Sequence, residues 1–251
     1  MSGHSHYSTI KRQKGIKDAQ KGRVFSKLSR LISLAVKAGG GITDPSANYK
    51  LRMAIESARA ANMPKENVER AISRAGVEAE SLEEMTYEGY GPMGIAVIVE
   101  VTTDSRNRTG QEIKNIFERV GGSLGGPGSV SFNFDTQGLI VIPKSDNAQT
   151  QILNLIDMGV EDFQEEQDSI EIYTQQDKVS DIKEKLIAQG INVVSSDIIK
   201  RPKNYQTLTN SVEVERALNF LEKIEDHDDV QKVFTNIDIP DELINKQEAA
   251  S

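Results

Sequence analysis

The chain has 251 residues, of which 37% are hydrophobic and 27% charged, with a net charge of −8 and no cysteine. That length exceeds one core of ordinary size and points to two or three domains. The absent thiols exclude disulfides, thiolate zinc sites and cysteine nucleophiles, and they fit a cytoplasmic address. No apolar run reaches the eighteen or so residues of a membrane span, and the polar start Met-Ser-Gly-His-Ser-His-Tyr lacks an export signal, so no membrane partner is expected.

Charge is segregated along the chain. Residues 1–74 hold 15 Lys and Arg against 5 Asp and Glu, whereas residues 75–251 hold 15 against 33. Within residues 1–37 nine basic side chains face a single acid, Asp18. Such a segment repels itself until a polyanion neutralises it, and the acidic remainder repels the same polyanion. The basic end is therefore expected to meet nucleic acid, with Lys11, Arg12, Lys14, Lys17 and Lys21 in an N-terminal arm.

From Arg23 the apolar residues Val24, Phe25, Leu28, Leu31, Ile32 and Ala35 recur at helical spacing, and Gly39-Gly40-Gly41 supplies a stop. Lys17 and Lys21 fall on the apolar side of any backward extension, which predicts a helix start near Gly22. Arg23, Lys27 and Arg30 lie on its polar side and join the candidate nucleic-acid contacts. Asp44-Pro45 reads as the cap of a second helix carrying Met53 to Ala58, and Pro64 opens a third that Gly76 ends.

Beyond Gly76 short β-rich runs alternate with helices. Strands are expected at 95–101, 130–134, 139–142, around 163, at 170–173, at 191–194 and at 230–234. Helices are expected at 109–120, 147–158 and 179–188, and one carries Val214, Ala217, Leu218, Leu221 and Ile224. The fold class is α+β, a helical domain followed by two α/β, ferredoxin-like domains, one inserted in the other. The expected boundaries are 1–76 for the basic helical domain with its arm, 77–135 plus 203–240 for the middle domain, 136–202 for the insert and 241–251 for a polar tail.

Catalytic patterns fail in context. Gly121-Gly122-Ser123-Leu124-Gly125 spells the serine-hydrolase elbow, but here a helix precedes and a strand follows, the inverse of what the elbow needs. A hydrolase using Ser123 is a remote alternative. The glycines between Gly121 and Gly128 form neither a dinucleotide fingerprint nor a phosphate loop. Asp226, His227, Asp228 and Asp229 are adjacent in sequence, poor geometry for one metal, and read as a solvated acidic turn. No enzyme activity, catalytic residue, cofactor, metal or small-molecule substrate is expected. Two segments remain. Tyr87 to Gly94 is a glycine-rich turn into a strand, and Tyr87 and Tyr90, with Tyr7 in the arm, are candidates to stack on bases or contact a loop. Asp104-Ser105-Arg106-Asn107-Arg108-Thr109 sets Arg106 and Arg108 at a helix start, where an anion such as phosphate is favoured, or where a salt bridge to Asp104 forms instead.

Gly3-His4-Ser5, Lys21-Gly22-Arg23 before Phe25, Gly39-Gly40-Gly41, Asn62-Met63, Tyr87 to Pro92, Arg106 to Thr109, and Asp228-Asp229-Val230-Gln231 before Val233-Phe234 together resemble the YebC family over nearly the whole chain. The resemblance implies three domains, no catalysis and nucleic-acid binding. It leaves open DNA, as for bacterial members described as transcriptional regulators, or the ribosome, as for mitochondrial relatives acting in translation. His6-Tyr7 stands where the family has Lys-Trp, which removes one fixed charge and a larger stacking surface. On the DNA alternative, the second and third helices form a helix-turn-helix that offers Asn67, Arg70 and Arg74 to base edges. Glu66 and Glu69 share that helix, and the basic density lies in the arm and first helix. The sequence reading therefore favours ribosomal RNA or tRNA, as a ribosome-associated translation factor.

Overall fold

The computed structural model describes residues 18–78, 82–145, 151, 155, 158–166, 168–240 and 242–243, without the side chains of 18–21 and 76–78. Tyr7, Lys11, Arg12, Lys14, Lys17 and the Lys21 side chain lie outside the described residues, as does most of the helix expected at 147–158. The chain forms two compact units, residues 1–131 with 205–251, and residues 132–204. The fold is α+β, with an N-terminal helical region and antiparallel sheets. Among the described residues no helix is long and apolar enough to cross a membrane.

The first unit opens with α1 (Asp18–Ala38), α2 (Tyr49–Ala60) and α3 (Lys65–Glu78), which share a core of Ile32, Val36, Leu51, Ala54, Ala58 and Ala71. Helix α1 begins four residues before the expected Gly22, because apolar periodicity reports the buried stretch and a helical backbone continues past it. Helix α2 begins at Tyr49, not at the Asp44-Pro45 cap. The buried Asn48 is its cap: its side-chain oxygen accepts from Leu51 N–H at 3.1 Å while Nδ2 donates to the carbonyls of Ala35 and Ile42 at 3.0 and 2.9 Å. Asp44 instead accepts from Ser46 N–H in a turn. A side chain at Gly39 would lie 2.2 Å from Asn48 Nδ2, so glycine there admits the cap.

The same unit continues with β1 (Glu83–Tyr90), β2 (Ala96–Thr103), α4 (Arg106–Arg119) and β3 (Ser123–Leu124). Their sheet runs β3-β1-β2-β9 with every neighbouring pair antiparallel, and β9 (Val230–Thr235) arrives after the second unit. Helix α4 and the late helix α6 (Ser211–Glu225) bury Ile113, Phe117, Val214, Phe220 and Leu221 with Val97, Val99 and Val101 of β2, and Phe117 meets Phe220 edge-on at 5.0 Å. The short strands β8 (Gln206–Thr207) and β10 (Ile237–Asp238) pair in parallel.

The strand expected at 130–134 is not one. Residues Ser131–Asn133 form a 3-10 turn, and β4 (Phe134–Pro143) starts at its end. The cause is Glu88 of β1, 8% exposed, whose carboxylate accepts the N–H groups of Gly128, Val130 and Ser131, each at 2.9 Å, so those amides are withdrawn from a ladder. Tyr87 to Tyr90 likewise belongs to β1, and the turn comes after it, at Gly91 to Ile95.

In the second unit β5 (Asp162–Glu165), β6 (Ser169–Thr174) and β7 (Ser195–Pro202) join β4 in the order β5-β6-β4-β7, with α5 (Val179–Ala188) between β6 and β7, a ferredoxin-like strand order. Gly138 of β4 has no room for a side chain, since a Cβ would fall 2.0 Å from Val179 Cγ2 at the start of α5. The last strand starts at Ser195 rather than Ile191. Ile191 and Val193 instead pack, outside any ladder, against the core of Ile140, Ile172, Ile182 and Leu186.

Candidate nucleic-acid interface

Asp229 organises the charged face of the first unit. Only 2% of its surface is exposed, although it lies in the segment read from sequence as a solvated acidic turn. The turn before β9 carries it beneath the start of α4, where Thr109 Oγ1 donates to its Oδ2 at 2.5 Å and Arg108 donates to the same oxygen at 3.0 Å. Ser105 N–H donates to Thr103 Oγ1 at 2.9 Å. The Thr109 proton is committed to Asp229, so the 2.7 Å Thr103–Thr109 contact runs from Thr103 to Thr109. Arg30 of α1 donates to Oδ1. The anion expected at this helix start is thus the chain's own carboxylate. Arg108 also pairs with Asp104 at 2.9 Å.

The other α1 cations of the candidate set point the same way. Arg23 pairs with Asp226 at 2.5 Å, Lys27 donates to the carbonyl of Glu225, and Arg30 also donates to the carbonyl of Asp228 at 3.0 Å. Arg23, Lys27 and Arg30 follow i, i+4, i+7 spacing and form one stripe. The stripe is engaged by the C-terminal end of α6 and the turn after it, where last-turn carbonyls and the helix dipole favour cations. An open cleft of about 670 Å³ remains between α1, α4 and this turn. Its three arginines are opposed by three aspartates and Glu112.

Burial alone would raise the Asp229 pKa. The Thr109 hydrogen bond, then Arg108, then Arg30 outweigh it and hold the group down, from 3.8 to about 2. A carboxylate with a depressed folded-state pKa contributes stability above its unfolded value, and the contribution is lost as pH falls through about 4 toward about 2. The amount is on the order of 2 kcal/mol. Urea unfolding of the wild type and Asp229→Asn between pH 6 and 2 is expected to show a stability gap that narrows in acid. A gap constant over that range would refute this account.

His227 and Asp229 converge with Glu112 of α4, one ligand atom from each lying within 4.8 Å of the others, so adjacency in sequence does not keep them from a common point. The trio does not suit a cation. Asp229 N–H donates to His227 Nδ1 at 3.1 Å, which leaves the ring proton on Nε2, donated to Glu112 at 2.9 Å, while both Asp229 oxygens face guanidinium groups.

The remaining candidates fall elsewhere. Arg106 is exposed at the first position of α4, and its carbonyl accepts from Tyr87 Oη at 3.3 Å. Tyr87 is half-buried against the sheet core, whereas Tyr90 is exposed and donates to the Ser129 carbonyl at 3.0 Å. Ser123 opens β3 directly after α4, so no strand-turn-helix elbow forms around it. Helix α3 follows α2 across the four residues Ala61 to Pro64, with Asn62 in a left-handed conformation (φ 57°) and Met63 buried as the pin of the turn. Along α3, Arg70 and Arg74 are exposed and Asn67 half-buried on one stripe, and neither arginine pairs with a described residue.

Sequence reasoning missed Asp229 and Glu88. Asp229 lay within a segment of the resemblance, Asp228 to Gln231, but its partners Arg30 and Arg108 are 199 and 121 residues away.

The family description "TACO1/YebC protein N-terminal domain" matches residues 5–78, and "TACO1/YebC second and third domain" matches residues 82–237. A protein of Dictyoglomus thermophilum named "Probable transcriptional regulatory protein" is 45% identical over 248 residues, covering 97% of this chain and 98% of its own length. A Sulfurihydrogenibium protein with a like name is 42% identical over 252 residues, 99% of this chain and all of its own. The crystal structure of a conserved hypothetical protein from Aquifex aeolicus superposes with a TM-score of 0.80 at 38% identity, over 92% of this chain and 98% of that one.

Proposed function

The chain belongs to the TACO1/YebC family, and from that premise we propose that it is a non-catalytic regulator of gene expression that binds duplex DNA through α2 and α3. The observation that carries this reading is the stripe of exposed Arg70 and Arg74 with half-buried Asn67 on a helix that follows its neighbour across a short turn. That arrangement suits a recognition helix in a major groove, where arginine reads guanine and asparagine reads adenine. The names of full-length bacterial relatives support the same direction. The translation reading drew on two groups of cations. Those of α1 are engaged within the chain, and those of the arm lie outside the described residues.

The test begins with selection of preferred sequences from genomic fragments by the full chain. In Asn67→Ala/Arg70→Ala/Arg74→Ala, discrimination between a selected site and random duplex is expected to fall at least about 100-fold, since each good base contact contributes about 1–3 kcal/mol. Binding to random duplex should fall only a few-fold. Unchanged discrimination would overturn the reading. So would a chain that selects no sequence but co-sediments with ribosomes in a manner lost on changing Lys11, Arg12, Lys14 and Lys17 to Glu, an outcome that favours translation.

A further inference from the structure

We propose that the Arg23, Lys27 and Arg30 stripe of α1 is a contact surface for a nucleic-acid phosphate backbone which the chain covers with its own turn, Asp226 to Asp229. Nucleic acid and turn then compete for the same three cations. The inference rests on the nucleic-acid reading above but not on which helix reads sequence.

Three features make the exchange physically cheap. The Arg23–Asp226 pair is about half-exposed on both sides (45% and 47%) and is therefore screened and weak. Asp229 does not become an orphan when α1 departs, because Thr109 and Arg108 still hold Oδ2 and only Oδ1 must take water in place of Arg30. The apolar side of α1 packs on α2 and α3 through Ile32, Ala35 and Val36, so the helical core does not depend on the turn.

Two features make the exchange selective for a polyanion. From Arg23 to Arg30 the stripe covers eight residues of helix, about 10 Å, so its three cations meet more than one phosphate of a backbone at once. In the covered state Asp226 and Asp228 stand beside the stripe and repel those phosphates, so approach and uncovering are coupled. A small monovalent anion cannot replace all the contacts at once.

Full-length Asp226→Asn/Asp228→Asn should bind a 20-base-pair random duplex about 5–10-fold more tightly than wild type, with a salt slope steeper by about one to two. Glu215→Gln/Glu222→Gln removes the same charge from exposed positions of α6 and should change affinity less than about twofold. Adding Arg23→Gln/Lys27→Gln to the turn variant should cancel the gain. The chain has no cysteine, so nitroxides at Ser26→Cys and Glu222→Cys report the covering directly, and their separation should lengthen when duplex is added. Equal gains in both charge variants, no gain in the turn variant, or an unchanged separation at saturating duplex would each overturn the inference. If α3 still governs sequence discrimination in those cases, the proposed function stands. If neither wild type nor variants bind duplex or a structured RNA, both fall.

Discussion

Asp229→Ala is expected to lower the free energy of unfolding by about 3 kcal/mol. The substitution leaves the Thr109 hydroxyl, which is fully buried, without its acceptor, and leaves Arg30 and Arg108 facing each other with no anion between them. Both arginines keep partial access to water, which is why the loss stays below that of a sealed ion pair. Asp229→Asn retains an acceptor for Thr109 but no charge and should recover about 1 kcal/mol of the loss. Urea midpoints at pH 7 check both values. A change below about 0.5 kcal/mol for the alanine variant would mean that the carboxylate is not what joins α1, α4 and the turn.

Glu88→Ala is expected to cost about 3 kcal/mol and to act mainly on the loop from Gly125 to Ser131. One carboxylate satisfies three backbone amides there, and no side chain of the loop replaces it. Burial on its own would raise the Glu88 pKa, but those amides outweigh it and hold the group below the usual carboxylate range, so its stabilisation is present at neutral pH and lost in acid. Hydrogen exchange at Gly128, Val130 and Ser131 should speed by about 100-fold in the variant. Exchange that stays slow there would show that the loop is ordered by something else. Glu88→Gln is a sharper test, since its amide nitrogen must point at one of the three N–H donors.

The helices and several strands were legible in the sequence because their burial is periodic. The apolar residues of α1, Leu28 to Val36, fix its buried stretch, and Ile170 to Tyr173 marks β6. Boundaries were less legible, because they are set by single polar groups acting on backbone far away. Asn48 rather than Asp44 starts α2, and Glu88 removes the strand expected at residue 130. The candidate interface was legible only in part. Charge density located α1 correctly as the basic helix, but a count of charges carries no information about what stands opposite. Arg23, Lys27 and Arg30 are met by residues roughly 200 positions later, and no local spacing announces such a pairing. The α3 stripe, by contrast, was readable at i, i+3, i+7.

The return of the chain at Tyr205 to finish the sheet it left at Ser131 has a consequence for synthesis on the ribosome. Strand β2 gains β1 as soon as their hairpin emerges, but its other edge pairs with β9, Val97 facing Thr235. At ordinary elongation rates that partner follows roughly 130 residues and on the order of ten seconds later. The intervening unit, whose sheet closes within residues 132–204, can fold in the meantime. For the same interval the nascent chain carries an open strand edge and an α1 whose cations have not yet met their acidic turn. The vulnerable period of this protein is therefore the wait for residues 205–235, and a pause in translation there should increase aggregation or capture by chaperones more than a pause of equal length within the insert.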